Sequence, residues 1–146
     1  MGEMSKVLVV DDEQVVRLSH MRTLAGQHCT VDAVPAVDQA LEKMQAAPAD
    51  VVLMDLRMPG MGGLEALKAI KEKWPYTEVV IITGYPSVYT AREAARLGAF
   101  AYLAKPADPD KVLAVANEAM AQRASASPDR PMQNSDSQMR WGNYLN

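Results

Sequence analysis

Five short apolar runs recur along the chain, separated by longer stretches in which apolar and polar residues are mixed. The runs are four or five residues long, they are rich in β-branched residues, and they do not alternate with polar residues. This pattern is typical of strands that are buried on both faces of a sheet. The predicted strands are Val7–Val10, Thr30–Val34 (the weakest of the set), Val51–Met54, Val79–Ile82 and Ala101–Ala104.

The stretches between the runs predict amphipathic helices, because their apolar residues recur at steps of three and four. In the first helix the predicted buried stripe is Val15, Leu18, Met21 and Ala25. The stripes of three others are Val37, Leu41 and Met44; Leu64, Leu67, Ile70 and Trp74; and Val112, Val115 and Ala119. The helix within 88–97 has only a thin apolar stripe, so we expect it to pack least firmly. Ser87 is the predicted N-cap of that helix, and Asp108, followed by Pro109, is the N-cap of the last one.

The strict alternation of strand and helix predicts an α/β fold, in which a doubly wound, five-stranded parallel sheet carries helices on both faces. The length of 146 residues suits one domain. After Arg123 the composition shifts to Ser, Pro and Gln, which predicts a domain at 1–123 and a disordered tail at 124–146. Trp141 and Tyr144 in that tail suggest either a docking peptide or, more simply, a frayed end or the remnant of a lost domain.

Composition narrows the class of protein. The net charge is −3, whereas proteins that bind nucleic acid or anionic membrane surfaces usually carry an excess of basic residues. The apolar runs are much shorter than a membrane span. A single cysteine, Cys29, cannot form an internal disulfide, which favours a reducing compartment. We therefore expect a cytoplasmic protein that binds neither membrane nor nucleic acid directly.

Polar residues cluster at the carboxyl ends of the predicted strands. Asp11 and Asp12 follow the first, Asp55 the third, Thr83 the fourth and Lys105 the fifth. Each alone suits an ordinary turn or cap, but together they occupy the edge where parallel sheets bind ligands. The three carboxylates outnumber the one ammonium group, so the carboxylates repel one another. A bound divalent cation relieves this repulsion. Oxygen donors favour Mg²⁺.

Four segments carry a resemblance to a known family. They are Val-Leu-Val-Val-Asp-Asp-Glu at 7–13, Met-Asp-Leu-Arg-Met-Pro-Gly at 54–60, Ile-Ile-Thr-Gly-Tyr at 81–85 and Tyr-Leu-Ala-Lys-Pro at 102–106. In this order they resemble the receiver domain of two-component response regulators, over residues 5 to 122. The resemblance implies a flavodoxin-like sheet with strand order 2-1-3-4-5.

The resemblance also implies roles for individual residues. Asp55 is the expected phospho-acceptor, a carboxylate that attacks the phosphorus of phosphohistidine. Asp12, Asp55 and the backbone carbonyl of Arg57 are the expected direct ligands of Mg²⁺, and Asp11 is expected to act mainly through water. Lys105 is expected to pair with the phosphoryl oxygens.

Three further features are implied by the same resemblance. Thr83 is expected to bind the phosphoryl group and Tyr102 to respond to its movement, so that the face of the fourth helix, fifth strand and fifth helix changes. Lys105–Pro106 is the expected cis peptide. Gly62 stands where many receivers have Asp, which predicts a third helix without a side-chain cap.

The main functional hypothesis is a single-domain response regulator that catalyses its own phosphotransfer and dephosphorylation and is not otherwise an enzyme. Expected partners are a sensor histidine kinase or histidine phosphotransfer protein and a downstream protein target, with the chain a monomer or weak phosphorylation-dependent dimer. Alternatives are a phosphorelay intermediate or phosphate sink, and the receiver portion of a transcription regulator without its output domain. A Mg²⁺-dependent phosphatase is less favoured, because Arg57 stands where such enzymes commonly carry a second aspartate.

Overall fold

The computed structural model describes residues 4–58, 60–126 and Trp141. In this part of the chain five strands alternate with five helices. The elements are β1 (Ser5–Val10), α1 (Gln14–Leu24), β2 (Cys29–Val34), α2 (Val37–Ala46), β3 (Val51–Met54), α3 (Gly63–Lys73), β4 (Glu78–Thr83), α4 (Val88–Arg96), β5 (Ala101–Ala104) and α5 (Pro109–Ser125). The strands form one parallel sheet in the order β2-β1-β3-β4-β5, which confirms the predicted fold.

The two faces of the sheet are covered by different helices. Because successive residues of a strand point to opposite faces, Leu8 and Val10 pack with α2, α3 and α4, whereas Val7 and Val9 pack with α1 and α5. All residues of β3 and β4 are buried. The continuous apolar runs in the sequence follow from this coverage, since both faces need apolar side chains.

The predicted buried stripe of α1 is wrong. Val15 is 79% exposed, Leu18 48% and Met21 36%, and Ala25 lies beyond the end of the helix. The buried residues of α1 are instead His20 and Leu24, which lie four positions apart. Two stripes of this helix satisfy a helical spacing, and the stripe that packs on the sheet contains a histidine, so apolar periodicity selects the other one.

The helix ends agree with the predicted caps. The Ser87 hydroxyl accepts a hydrogen bond from the Thr90 N–H, and the Asp108 carboxylate accepts one from the Asp110 N–H. Gly62 precedes α3 without a side-chain cap, as expected.

The predicted disordered tail at 124–146 lies outside the described residues, apart from 124–126 and Trp141. Residues 124 and 125 continue α5. Trp141 is buried, with 4% of its surface exposed. Within the described residues, no helix has both the length and the apolar character that a membrane span requires.

Candidate functional site

The sheet brings the predicted site residues to one edge. Asp11 follows β1, Asp55 follows β3, Thr83 ends β4 and Lys105 follows β5. These four strands are neighbours in the sheet and run in the same direction. The side chains that the sequence distributes over about two thirds of the chain therefore meet at the carboxyl edge, where ligands of open α/β sheets bind.

Lys105 lies at the centre of the site, in contact with three carboxylates. Its Nζ atom lies 2.8 Å from Asp55 Oδ2, 2.8 Å from Asp11 Oδ2 and 3.3 Å from Glu13 Oε1. The peptide bond between Lys105 and Pro106 is cis. Burial by itself lowers the pKa of Lys105, but hydrogen bonds and charge attraction from Asp11 and Asp55 outweigh it, and the net pKa is raised. The ammonium group is therefore charged at neutral pH, and it faces the carboxylate of Asp55, the phospho-acceptor that the resemblance implies.

Two aspartates of the site are buried and are held by backbone N–H groups. Asp11 is 2% exposed and Asp55 is 6% exposed. Asp55 Oδ1 accepts a hydrogen bond from the Arg57 N–H at 3.2 Å, and Asp11 Oδ1 accepts one from the Glu13 N–H at 2.9 Å. Each carboxylate thus keeps one oxygen on its own loop and presents the other to Lys105. This fixes the direction in which the Asp55 oxygen faces.

The carboxylates also form a group that suits a hard cation. Asp11, Asp12, Glu13 and Asp55 each offer an oxygen atom, and these atoms lie within 4.8 Å of one another. Four formal negative charges face one ammonium group, and all the donors are oxygen, so the residues fit a divalent cation of the Mg²⁺ type. Asp12 is exposed, so the cluster opens to solvent on that side.

Sequence reasoning did not single out Glu13 as a site residue. Its carboxylate belongs to the acidic cluster and contacts Lys105, although its side chain is 63% exposed. The signal was present, because Glu13 is the third acidic residue of the run that follows β1. The sequence does not show the direction of the Glu13 side chain. In the structure the turn after β1 directs it toward Lys105.

The two predicted switch residues are both buried. Thr83 is fully buried, and its hydroxyl accepts a hydrogen bond from the Tyr85 N–H at 3.1 Å. Tyr102 is 1% exposed, and its hydroxyl accepts a hydrogen bond from the Ser87 N–H at 3.1 Å and lies 2.7 Å from Thr90 Oγ1. The loop after β4 therefore contacts Thr83 near one end and Tyr102 at the other.

Arg57 and Tyr85 connect the two loops beside Asp55. The guanidinium carbon of Arg57 lies 4.2 Å from the centre of the Tyr85 ring. This distance is typical of a cation–π contact. The contact joins the loop after β3, which carries Asp55, to the loop after β4, which carries the Thr83 hydrogen bond.

Curated relatives carry the same unit within longer chains. The chain is 37% identical over 127 residues to the DNA-binding transcriptional regulator NtrC of Escherichia coli K12, which covers 87% of this chain and 27% of that protein. It is 43% identical over 132 residues to the transcriptional regulatory protein ZraR of Klebsiella oxytoca, with coverage of 87% and 29%. The chain thus spans little more than a quarter of the length of these regulators.

Solved structures give the same answer for the fold and the family. The chemotaxis response regulator CheY4 of Vibrio cholerae superimposes with a TM-score of 0.73 at 31% identity, over 80% of this chain and 98% of that one. The beryllofluoride-activated NtrC4 receiver domain dimer gives 0.78 at 32% identity, over 82% and 99%. The family model described as the response regulator receiver domain matches residues 7–117. The protein therefore belongs to the response regulator receiver domain family.

Proposed function

We propose that the unit at 1–123 accepts a phosphoryl group on Asp55 from the phosphohistidine of a sensor histidine kinase or histidine phosphotransfer protein. The observation that carries the proposal is the geometry of Asp55. Its carboxylate is buried, one oxygen is fixed by the Arg57 N–H, and the other lies 2.8 Å from the Lys105 ammonium group. A carboxylate held in this way is a positioned nucleophile.

In the proposed step an Asp55 oxygen attacks phosphorus and forms an acyl phosphate. The bond between phosphorus and the histidine nitrogen breaks, and its electron pair stays on the imidazole nitrogen, which takes up a proton from water. Lys105 moves its hydrogen bonds from the free carboxylates to the phosphoryl oxygens, and the Thr83 hydroxyl donates to one of them. These groups stabilise the charge of the transferred group. Hydrolysis of the acyl phosphate returns Asp55 and inorganic phosphate.

The acidic cluster supports a role for Mg²⁺ in this reaction. Asp12, Asp55 and the Arg57 carbonyl would hold the ion directly, with Asp11 acting mainly through water, and Glu13 adds a further carboxylate to the cluster. When bound, Mg²⁺ supplies positive charge to the phosphoryl oxygens. It also offsets the repulsion between the incoming phosphoryl group and the acidic side chains.

The exposed apolar face of α1 supports a protein as the phosphoryl donor. Val15, Leu18 and Met21 face solvent on the helix that begins directly after Glu13. Val15 and Leu18 line a surface groove of about 480 Å³ together with Pro109 of α5. Exposed apolar patches beside a reactive site are typical of protein contacts.

A second proposal concerns the setting of this unit. NtrC and ZraR are transcriptional regulators, and this chain matches only 27% and 29% of their lengths. These relatives favour the receiver portion of a transcription regulator over the stand-alone regulator of the main hypothesis. In either setting the phosphoryl chemistry belongs to residues 1–123, and the output depends on a protein contact of this unit.

Intact mass spectrometry after incubation with acetyl phosphate tests the phosphoryl chemistry. The wild type is expected to gain one phosphoryl group in the presence of Mg²⁺ and to gain far less when the metal is removed with EDTA. Asp55→Asn is expected to gain none. Asp38→Asn is the matched control, because Asp38 is an exposed aspartate on α2 and is expected to behave as wild type. Phosphorylation of Asp55→Asn at the wild-type level would refute the assigned acceptor.

A further inference from the structure

The C-terminal aromatic residue Trp141 lies against the side chain of Tyr102. The two ring centres are 6.1 Å apart and the ring planes differ by 18°, which is a stacked arrangement. Trp141 is 4% exposed and Tyr102 is 1% exposed. A tryptophan that lies far beyond the end of α5 in the sequence is thus buried on the folded domain.

The surface that Trp141 covers is formed at the edge of the sheet. β5 is an edge strand, and Tyr102 lies within it. The Tyr102 hydroxyl is bonded to Ser87 and Thr90 at the beginning of α4. Trp141 belongs to the same apolar cluster as Ala91 and Ala94 of α4. We call the area formed by Tyr102 and the buried alanines of α4, Ala91 and Ala94, the Tyr102 surface.

The small residues of α4 explain why this surface accepts a large ring. The buried positions of α4 are Ala91 and Ala94, and the larger apolar residues of the helix, Val88 and Tyr89, are 49% and 72% exposed. Alanine side chains alone bury little area against β5. The aromatic ring of Trp141 supplies apolar area that α4 itself does not.

From these contacts we propose that Trp141 is an internal ligand of the Tyr102 surface. Trp141 occupies the surface in cis, and a protein that binds there has to displace it. Because the competing ring belongs to the same chain, its effective concentration at the surface is high and does not change with dilution. The surface is therefore closed until the Trp141 contact is weakened or outcompeted.

The contacts also provide a route by which the acidic site acts on Trp141; this step rests on the proposed function of Asp55. Thr83 accepts a hydrogen bond from the Tyr85 N–H, and two residues later the Ser87 N–H holds the Tyr102 hydroxyl. If the Thr83 hydroxyl turns toward a phosphoryl group, the loop between them loses the anchor that the Tyr85 N–H provides. Loss of that anchor loosens Tyr102 and, with it, the Trp141 contact.

Tryptophan fluorescence tests the docking itself, without phosphorylation. The chain has two tryptophans, so Trp74→Phe leaves Trp141 as the sole tryptophan. Its fluorescence is expected to be quenched by acrylamide several-fold less in the folded chain than in urea. In wild type, nuclear Overhauser effects are expected between the rings of Trp141 and Tyr102. Full access of acrylamide to Trp141 in the folded chain, or absence of these effects, overturns the proposal.

Substitutions in the same background test whether Tyr102 is the partner. Tyr102→Ala is expected to raise the quenching of Trp141 several-fold, whereas Tyr102→Phe keeps the ring and is expected to raise it little. Tyr89→Ala is the matched control, because Tyr89 is an exposed tyrosine on α4. An equal response to Tyr89→Ala and Tyr102→Ala contradicts the assigned contact. If Tyr102→Ala does not fold, the nuclear Overhauser effects between Trp141 and Tyr102 in the wild type decide whether the two rings are in contact.

Beryllofluoride, a phosphoryl analogue, tests the regulatory step when added with Mg²⁺. Its binding is followed separately by ¹⁹F NMR, with Asp55→Asn as the variant that does not bind. Bound beryllofluoride is expected to increase the quenching of Trp141, and unchanged quenching in the bound protein refutes the release. Absence of beryllofluoride binding in wild type refutes the proposed function of Asp55 and with it the route, and the docking is then judged by the two preceding measurements.

Discussion

At the residue scale, Gly63 lies close against the loop after β3, which carries the proposed phospho-acceptor Asp55 and which we call the acceptor loop. Its N–H donates a hydrogen bond to the Leu56 carbonyl at 3.0 Å. A Cβ atom at Gly63 would lie 2.5 Å from Leu56 Cα and 2.6 Å from the Asp55 carbonyl oxygen. Both neighbours are backbone atoms of the acceptor loop and cannot move aside cheaply. Glycine at this position allows the start of α3 to pack directly against the backbone of Asp55 and Leu56.

Gly63→Ser is expected to lower the free energy of unfolding by about 1–3 kcal/mol, the usual cost of overpacking. It is also expected to slow phosphorylation of Asp55, because the loop that positions the carboxylate has to shift. Urea denaturation and the rate of mass gain with acetyl phosphate measure the two effects.

The neighbouring Gly62 provides the matched control for this substitution. A Cβ atom at Gly62 meets nothing within 4 Å, and the residue precedes α3 without a side-chain cap. Gly62→Ser adds a hydroxyl that can cap the helix and is expected to gain a few tenths of a kcal/mol. Equal losses of stability in the two variants would show that close approach to the acceptor loop is not the cause.

At the element scale, Lys71 connects the end of α3 to the beginning of β4. Its Nζ atom donates hydrogen bonds to the carbonyls of Pro75 at 2.8 Å and Thr77 at 2.9 Å, and lies 3.7 Å from Glu78 Oε1. The side chain of Glu78 is 2% exposed and that of Lys71 is 13% exposed. Burial lowers the pKa of Lys71, and attraction to Glu78 opposes this shift. One cation thus closes the turn between the helix and the strand.

Lys71→Met is expected to reduce the free energy of unfolding by about 3 kcal/mol, because a buried carboxylate loses its neighbouring cation and two carbonyls lose a donor. The shift of the urea midpoint measures this loss. Lys68→Met, an exposed lysine of the same helix, is expected to change stability by less than about 0.5 kcal/mol. If Lys71→Met loses no more free energy of unfolding than Lys68→Met, the contacts of Lys71 with Glu78 and the two carbonyls do not stabilise this turn.

At the scale of the whole molecule, stability depends on pH through groups whose pKa differs between folded and unfolded chains. His20 is such a group, since it packs on the sheet side of α1 and is 8% exposed. Burial lowers its pKa below 6.5; Asp11 partly opposes this shift, and Lys105 adds to it. As pH falls through 6.5, the unfolded chain therefore binds a proton that the folded chain does not. This destabilises the folded state at acidic pH.

His20→Gln is expected to flatten the fall in the free energy of unfolding between about pH 7.5 and 5.5, where unperturbed carboxylates titrate little. Denaturant titrations across this range measure the slope. The control is His28→Gln, because His28 is the other histidine of the chain and is exposed; it is expected to keep the wild-type slope. A wild-type slope in His20→Gln would mean that another group carries the acid sensitivity.

Much of the architecture is accessible from local sequence patterns. The apolar runs predict strands because a parallel strand is covered on both faces, and the polar residues directly after them mark one edge of the sheet. The strand order and the residue roles came from the resemblance to receivers, and the order is confirmed. Sequence reasoning also identified the uncapped start of α3 and the two capped helices, since caps depend on a few adjacent residues.

Other features were decided by tertiary structure. The buried face of α1 depends on how the helix lies on the sheet. Two stripes of this helix have a helical spacing, so the spacing alone does not tell which of them is buried. The direction of the Glu13 side chain, the close approach of Gly63 to the acceptor loop and the stacking of Trp141 on Tyr102 depend on distances between segments remote in sequence. The sequence by itself determined the elements and the edge that carries the chemistry, because hydrophobic period and residue type are local. Contacts across the fold needed the structure, because they are set by how the elements pack together.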